Sequence, residues 1–173
     1  MLRSLITGYL RSTAQRAALD GLQAGWAQPG GRPPGDRPVN DPLSPVDLGF
    51  VFALGLEARG VLERLESPLV VRGAQAKVHV GTLAGRRVAV VVSGPGRKAA
   101  RRAATALLQG HRPGCLLSAG LAGGLDPALG HGDILLINRV GNGAGKWISL
   151  QLNYEPSGEN AVRAGSLLTL DRV

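Results

Sequence analysis

The sequence has one cysteine, few aromatic residues and fewer acidic than basic residues. Its 173 residues include only 2 Trp, 2 Tyr and 2 Phe, and 12 acidic residues stand against 20 Lys and Arg. The single cysteine, Cys115, excludes an intramolecular disulfide and indicates a reducing compartment, so we predict a cytoplasmic protein. Because Cys115 lies in an apolar run, we interpret its thiol as buried and inert. The scarcity of aromatic residues predicts a core made mostly of Ala, Val and Leu.

The spacing of the histidines and the length of the apolar runs argue against a metal site and a membrane span. His79, His111 and His131 show no metal-ligand spacing with each other or with the cysteine, so no metal site is predicted. No uninterrupted apolar stretch is long enough to cross a bilayer, and no membrane span is predicted. The hydrophobic content of 44% is typical of a globular protein, and the length allows one ordinary domain with its own core.

The excess of positive charge raises nucleic acid as a partner. The formal net charge is +8 and the pI is near 11.0. Many of the positive charges lie along one predicted helix, others lie in the N-terminal extension, and few aromatic side chains are available to stack on bases. We therefore interpret the charge as a solvated helix face and predict no nucleic-acid partner.

The chain divides by composition into three parts. Residues 1–27 have helical spacing of apolar residues, and three arginines precede the first acid, Asp20. We favour a peripheral accessory helix for this segment. The alternatives are a transit peptide, a membrane-surface helix, a docking helix, or residues translated from a non-native start codon upstream of the domain. Residues 28–46 are a linker rich in Pro and Gly. The folded domain is predicted at residues 47–173.

That domain has the alternating pattern of an α/β protein. Strands are predicted at residues 48–54, 70–72, 76–83, 87–92, 115–117, 134–137, 148–152 and 166–170, with helices at 58–65 and from 99 to about 110. Ala84-Gly85 predicts a hairpin turn, so the sheet should contain antiparallel as well as parallel pairs. Glycine-rich turns follow several strands, which is where α/β sheets bind ligands.

Glu57 is the most informative single residue. It follows the predicted strand 48–54 and lies close to Gly55, at the position where α/β sheets place binding and catalytic groups. An equally good interpretation is an exposed acid in the first helical turn, favoured by the helix dipole. The residues by themselves leave both interpretations open.

The turn at residues 94–99 matches the relaxed dinucleotide pattern GxGxxA. A nicotinamide cofactor needs an acid at the end of the next strand, and residues 115–119 contain none. The turn at residues 141–146 is not a P-loop, because Trp147 stands where Ser or Thr would bind magnesium. The glycines of residues 94–96 are better explained by close approach of backbone N–H groups to a ligand oxygen or an anion.

In combination, four features resemble the nucleoside phosphorylase/nucleosidase superfamily, and within it the 5′-methylthioadenosine/S-adenosylhomocysteine nucleosidases. They cover residues 47–140 and are Ala53-Leu54 with Glu57 three residues on, Ser93-Gly94-Pro95-Gly96-Arg97, Gly120-Leu121-Ala122-Gly123-Gly124-Leu125, and Gly132-Asp133-Ile134. The resemblance implies a three-layer α/β/α fold with a mixed central sheet, a homodimer and no cofactor. It implies cleavage of the N-glycosidic bond of purine nucleosides. Glu57 matches the carboxylate that activates water, and the residues matching the nucleoside site are Ala53, Leu54, Pro95, Leu121, Ala122 and Gly123.

The sequence also departs from that family. Leu121 stands where nucleosidases commonly have a small hydroxyl residue, and Gly55 and Leu56 replace the usual acids before Glu57. The family's ribose-binding Met-Glu pair and the aspartate that protonates the purine have no match, so the domain is expected to be incomplete at its C-terminus and the chain alone inactive. A non-catalytic nucleoside-binding or interaction protein and a phosphorolytic enzyme remain alternatives. The AxxxE pattern resembles the hydrolytic branch.

Overall fold

The computed structural model describes residues 44–73, 76–150 and 162–170. The predicted helix within residues 1–27 and residues 28–43 of the predicted linker lie outside these ranges. The described elements, in chain order, are β1 (Leu48–Phe52), α1 (Gly55–Leu62), β2 (Glu66–Arg72), β3 (Lys77–Leu83), β4 (Arg86–Val92), α2 (Arg97–Gly110), β5 (Cys115–Ala119), β6 (Leu135–Asn142), β7 (Trp147–Ser149) and β8 (Arg163–Thr169). With 8 and 14 residues, the two helices of this part of the chain are too short to cross a membrane.

The described residues fall into two compact units, one within Arg32–Gly123 and one within Gly124–Val173. The first, the five-strand unit, contains a sheet with the strand order β2-β3-β4-β1-β5. Strand β1 runs parallel to both of its neighbours, with Phe50 beside Val90 of β4 and Leu117 of β5. Strand β3 pairs antiparallel with β2 and β4. The predicted mixed sheet and α/β class are therefore confirmed.

Both faces of the central strands are buried, which explains their continuous apolar runs. On one face, Ala103 and Leu107 of α2 pack with Val51, Ala89 and Val91. The alternate residues of β1 and β4, which point to the other face of the sheet, are buried as well. They are Leu48, Phe50, Phe52, Val88 and Val90, each at most 6% exposed. Apart from the two phenylalanines, the buried apolar residues are Val, Leu and Ala, as the composition predicts.

The hairpin between β3 and β4 turns at the predicted residues. Ala84 and Gly85 have φ values of 50° and 72°, so both occupy the left-handed region. Two consecutive residues in that region are typical of the tight hairpin turn whose twist matches that of the flanking strands. The register confirms the hairpin, since Leu83 pairs with Arg86 and Thr82 with Arg87.

Some element boundaries differ from those predicted. Helix α1 begins at Gly55 rather than at residue 58, so Glu57 lies inside its first turn and not in a turn before it. Helix α2 begins at Arg97 rather than at residue 99, and β2 begins at Glu66 rather than at residue 70. For the two helices, Gly55 and Pro95 are turn-forming residues, so the sequence predicted turns where the helices already begin.

The second unit, the three-strand unit, contains the sheet β7-β6-β8, in which β6 is antiparallel to β7 and parallel to β8. The sequence predicted one central sheet, whereas the described strands pair as two. Within this unit, Arg139 lies over the Trp147 ring, 4.9 Å from its centroid. Gly141 is buried against the same ring.

We expect Gly141→Ala to displace Trp147. A Cβ at position 141 would lie 2.7 Å from ring atom Cε3, which is closer than atoms can pack, and the ring is 45% exposed and free to swing outwards. The displacement should remove the cation–π contact and lower the free energy of unfolding by about 0.5–1 kcal/mol. Tryptophan emission measured in a Trp26→Phe background should shift to the red. The same emission spectrum as the parent would contradict the prediction.

Candidate active site

Three loops meet at one edge of the five-stranded sheet. Strands β4, β1 and β5 are parallel neighbours, and Phe52, the last residue of β1, lies in register with Val92 and Ala119. The residues that follow these three strands therefore start from the same edge. The backbone N–H of Ser93 donates to the Phe52 carbonyl at 2.8 Å, which joins the loop after β4 to the end of β1. This edge brings together residues 53–57, 93–97 and 120–123.

Glu57 lies in the first turn of α1, and its carboxylate joins two of the three loops. Oε2 accepts a hydrogen bond from the Leu54 N–H at 2.8 Å, and Oε1 accepts one from the Leu121 N–H at 3.0 Å. The first bond is the glutamate half of a capping box, in which an acid at the third helical position reaches back to the N-cap N–H. The second bond spans from the first helix to the loop after β5. The structure therefore confirms that Glu57 lies in the first helical turn, although it is half-buried rather than exposed, and a catalytic role stays a prediction.

Gly120 allows this arrangement, and sequence reasoning did not single it out. A Cβ at position 120 would lie 2.8 Å from Oε1 of Glu57 and 3.1 Å from its Cδ. The carboxylate thus occupies the space that a side chain at this position would need. The sequence signal was present, since Gly120 directly precedes Leu121 in the glycine-rich turn, but only the fold places Glu57 against it.

The loop between β4 and α2 is held by Ser93 and shaped by glycine. The Ser93 hydroxyl lies 2.7 Å from the Gly94 carbonyl and 3.2 Å from the Phe52 carbonyl, both of which are acceptors. Gly94 and Gly96 have φ values of 79° and 98°, which residues with a side chain rarely adopt. Backbone conformation therefore explains the two glycines that produced the dinucleotide-like pattern. Pro95 lies exposed between them.

The segments that carry and contact Glu57 also hold exposed apolar residues. Leu54 is 48% exposed, Leu56 62% and Leu121 79%, whereas Glu57 itself is half-buried. Exposed apolar residues beside one fixed polar group are typical of a ligand-binding edge. The remaining predicted site residues lie on the same loops; they are Ala53, which is half-buried, and the exposed Pro95, Ala122 and Gly123.

Other groups with reactive or metal-binding chemistry are few in this part of the protein. Cys115 in β5 is half-buried rather than buried as predicted, and this partial burial raises the pKa of its thiol, which agrees with an inert cysteine rather than a nucleophile. Within residues 44–73, 76–150 and 162–170, no three His, Cys, Asp or Glu side chains are grouped to hold a metal ion. Among residues 53–57, 93–97 and 120–123, Glu57 is the one carboxylate, and Ser93 and Arg97 are the other polar side chains.

Comparison with protein families agrees with this geometry. A model described as the phosphorylase superfamily matches residues 47–160. The chain belongs to the phosphorylase superfamily. The matched range includes β1, Glu57 and the glycine-rich turn after β5, so the resemblance seen in the sequence is confirmed at the level of the family.

Individual members of the superfamily are similar to this chain. It is 33% identical over 95 residues to a 5′-methylthioadenosine/S-adenosylhomocysteine nucleosidase from Pseudoalteromonas translucida. The aligned residues cover 55% of this chain and 40% of the relative. The chain thus spans about 40% of the length of the curated relatives it matches.

Solved nucleosidase structures share the fold. The Neisseria meningitidis nucleosidase in complex with methylthio-immucillin-A superposes with a TM-score of 0.59 and 21% identity, covering 75% of this chain and 65% of that one. The Colwellia psychrerythraea enzyme in complex with adenine gives a TM-score of 0.55 and 22% identity, covering 73% and 61%. At these identities the likeness concerns the fold, and it agrees with the mixed sheet of the phosphorylase superfamily.

Proposed function

We propose that this protein hydrolyses the N-glycosidic bond of purine nucleosides of the 5′-methylthioadenosine and S-adenosylhomocysteine type, with Glu57 as the base that activates water. The observation that carries the proposal is the Glu57 carboxylate, fixed by the Leu54 and Leu121 amides at the ligand-binding edge of the sheet. Membership of the phosphorylase superfamily and similarity to nucleosidases support the same chemistry.

The carboxylate is suited to this role. Each of its oxygens accepts one backbone N–H and retains a further lone-pair site, so a water molecule can still donate to it. As the glycosidic bond breaks, positive charge develops on the ribose. A fixed carboxylate both stabilises that charge and removes the proton from the attacking water. The exposed side chains of Leu54 and Leu121 would supply apolar contacts for the nucleoside, together with Ala53, Pro95, Ala122 and Gly123.

The finer features implied by the resemblance belong to the same proposal. We propose a three-layer α/β/α arrangement, and burial of both faces of β1 and β4 supports it. A homodimer, no cofactor and a cytoplasmic location complete the proposal. The missing match to the acid that protonates the purine led to the expectation of an inactive chain, but loss of a general acid lowers a rate by only about 10²–10⁴-fold. We therefore propose that this chain retains slow turnover, lower than that of a complete nucleosidase by that factor.

Two measurements on the full 173-residue chain test the proposal. Calorimetry should detect binding of adenine and of 5′-methylthioadenosine, but not of uridine. Mass-spectrometric detection of free adenine should show slow, enzyme-dependent release from 5′-methylthioadenosine that does not require added phosphate. Release only with phosphate would favour a phosphorolytic enzyme, and binding without release a nucleoside-binding protein. If neither purine compound binds, the proposed function is wrong.

A further inference from the structure

We infer that Gly120 is a positioning residue for Glu57, because its missing side chain leaves the space in which the carboxylate reaches the Leu121 amide. The expected effect on turnover rests on the proposed function. The position of the carboxylate and its hydrogen bonds do not depend on that proposal.

Backbone conformation is not the reason for glycine at this position. Five described glycines have positive φ values, namely Gly85, Gly94, Gly96, Gly132 and Gly145, and Gly120 is not among them. An alanine at 120 would therefore be acceptable to the backbone itself. What excludes it is distance, since its Cβ would lie 2.8 Å from Oε1, 3.1 Å from Cδ and 3.3 Å from Oε2 of Glu57.

The atoms that would clash belong to the end of one side chain. A methyl group at 120 would displace the Glu57 carboxylate rather than the sheet, because a glutamate side chain can change rotamer at little cost. The bond from Leu121 N–H to Oε1, at 3.0 Å, is then the first interaction lost. The bond from Leu54 N–H can persist, because Leu54 and Glu57 lie only three residues apart in the same turn.

The rate depends on the position of a general base, because the base must hold the attacking water against one carbon atom of the ribose. Hydrogen bonds from two backbone N–H groups, one before α1 and one after β5, restrict the carboxylate to one orientation before substrate binds. This is preorganisation. A displacement of about 1 Å can cost about 10²-fold in rate. Gly120→Ala should therefore reduce kcat by about 10²-fold while KM changes little, since the ligand-facing side chains remain.

The test combines a spectroscopic and a kinetic measurement on the full chain. In amide NMR spectra, the change that Gly120→Ala causes at the Leu121 cross-peak is compared between the wild-type and Glu57→Ala backgrounds, because a substitution at 120 also affects the adjoining Leu121 amide directly. The change should be much smaller in the Glu57→Ala background, where a methyl group at 120 has no carboxylate to displace and only the effect of the neighbouring residue remains. Gly110→Ala is the matched control, since nothing lies within 4 Å of its added Cβ and it should leave the Leu121 peak in place.

Each outcome decides one claim. An equal change at the Leu121 amide in the wild-type and Glu57→Ala backgrounds overturns the inference, and so does a larger change in the wild type with unchanged kcat. Thermal denaturation of both glycine variants separates displacement of the carboxylate from loss of folding. If the wild-type chain releases no adenine although the Leu121 amide responds as expected, the proposed function fails and the positioning of the carboxylate by Gly120 stands.

Discussion

Glu57→Gln is expected to lower the rate of adenine release from 5′-methylthioadenosine by about 10²–10⁴-fold, the usual contribution of a general base. Glutamine has nearly the same shape but cannot take a proton from water, and it removes the negative charge that faces the ribosyl cation. Binding of adenine, measured by calorimetry, should change little, because adenine carries no developing positive charge.

The variant also has a structural consequence that must be measured separately. The glutamine amide has one oxygen, so it can accept from the Leu54 N–H or the Leu121 N–H, but its NH2 group must face the other. An unsatisfied buried donor costs about 1–3 kcal/mol, and less here because Glu57 is only half-buried. A thermal denaturation curve will therefore show a modest shift, which cannot account for a rate loss of the expected size.

Glu63→Gln is the matched control for Glu57→Gln. Glu63 follows the same helix, is exposed, and pairs with Arg59 through a salt bridge of 2.6 Å. Solvent screens an exposed pair of this kind, so stability should change little and turnover should not change. Equal turnover in Glu57→Gln and the wild type would remove Glu57 from the mechanism.

Leu107→Ala is expected to destabilise the five-strand unit by about 2–5 kcal/mol, the range for a buried leucine whose removal leaves a cavity. Leu107 is 0% exposed and belongs to the cluster in which α2 packs on the sheet, together with Val51, Ala89 and Val91. The packing of α2 also supports the loop at residues 93–97, so the variant should weaken the edge that carries the site.

Leu108→Ala supplies the comparison for this prediction. Leu108 is the next residue of α2 and is 50% exposed, so its truncation should change the free energy of unfolding by about 0.5 kcal/mol or less. Urea denaturation followed by circular dichroism measures both variants under the same conditions. Similar midpoints for the two variants would show that α2 does not pack through Leu107.

Several features could be predicted from the sequence because they depend on local patterns. The strand predicted at residues 87–92 and the helix predicted from residue 99 are both found, as β4 and α2. Ala84-Gly85 predicts a hairpin because Gly85 adopts at no steric cost the positive φ that a tight turn needs. The family could also be recognised, since its motifs are short segments close to the ends of strands.

The site depended on contacts between residues far apart in the chain. Glu57 and Leu121 are separated by 64 positions, and no local pattern states that their atoms meet at 3.0 Å. The register of β1 with β4 and β5 decides that meeting, because it brings the ends of three parallel strands to one edge.

By itself, then, the sequence determined the α/β class, the mixed sheet, the hairpin and the family, through periodicity, turn residues and motifs. The tertiary structure alone decided that Glu57 lies inside the first turn of a helix, that its carboxylate joins two loops, and that a Cβ at position 120 would meet that carboxylate. The physical reason is that hydrogen-bond partners and excluded volume between distant segments exist only once the strands have paired.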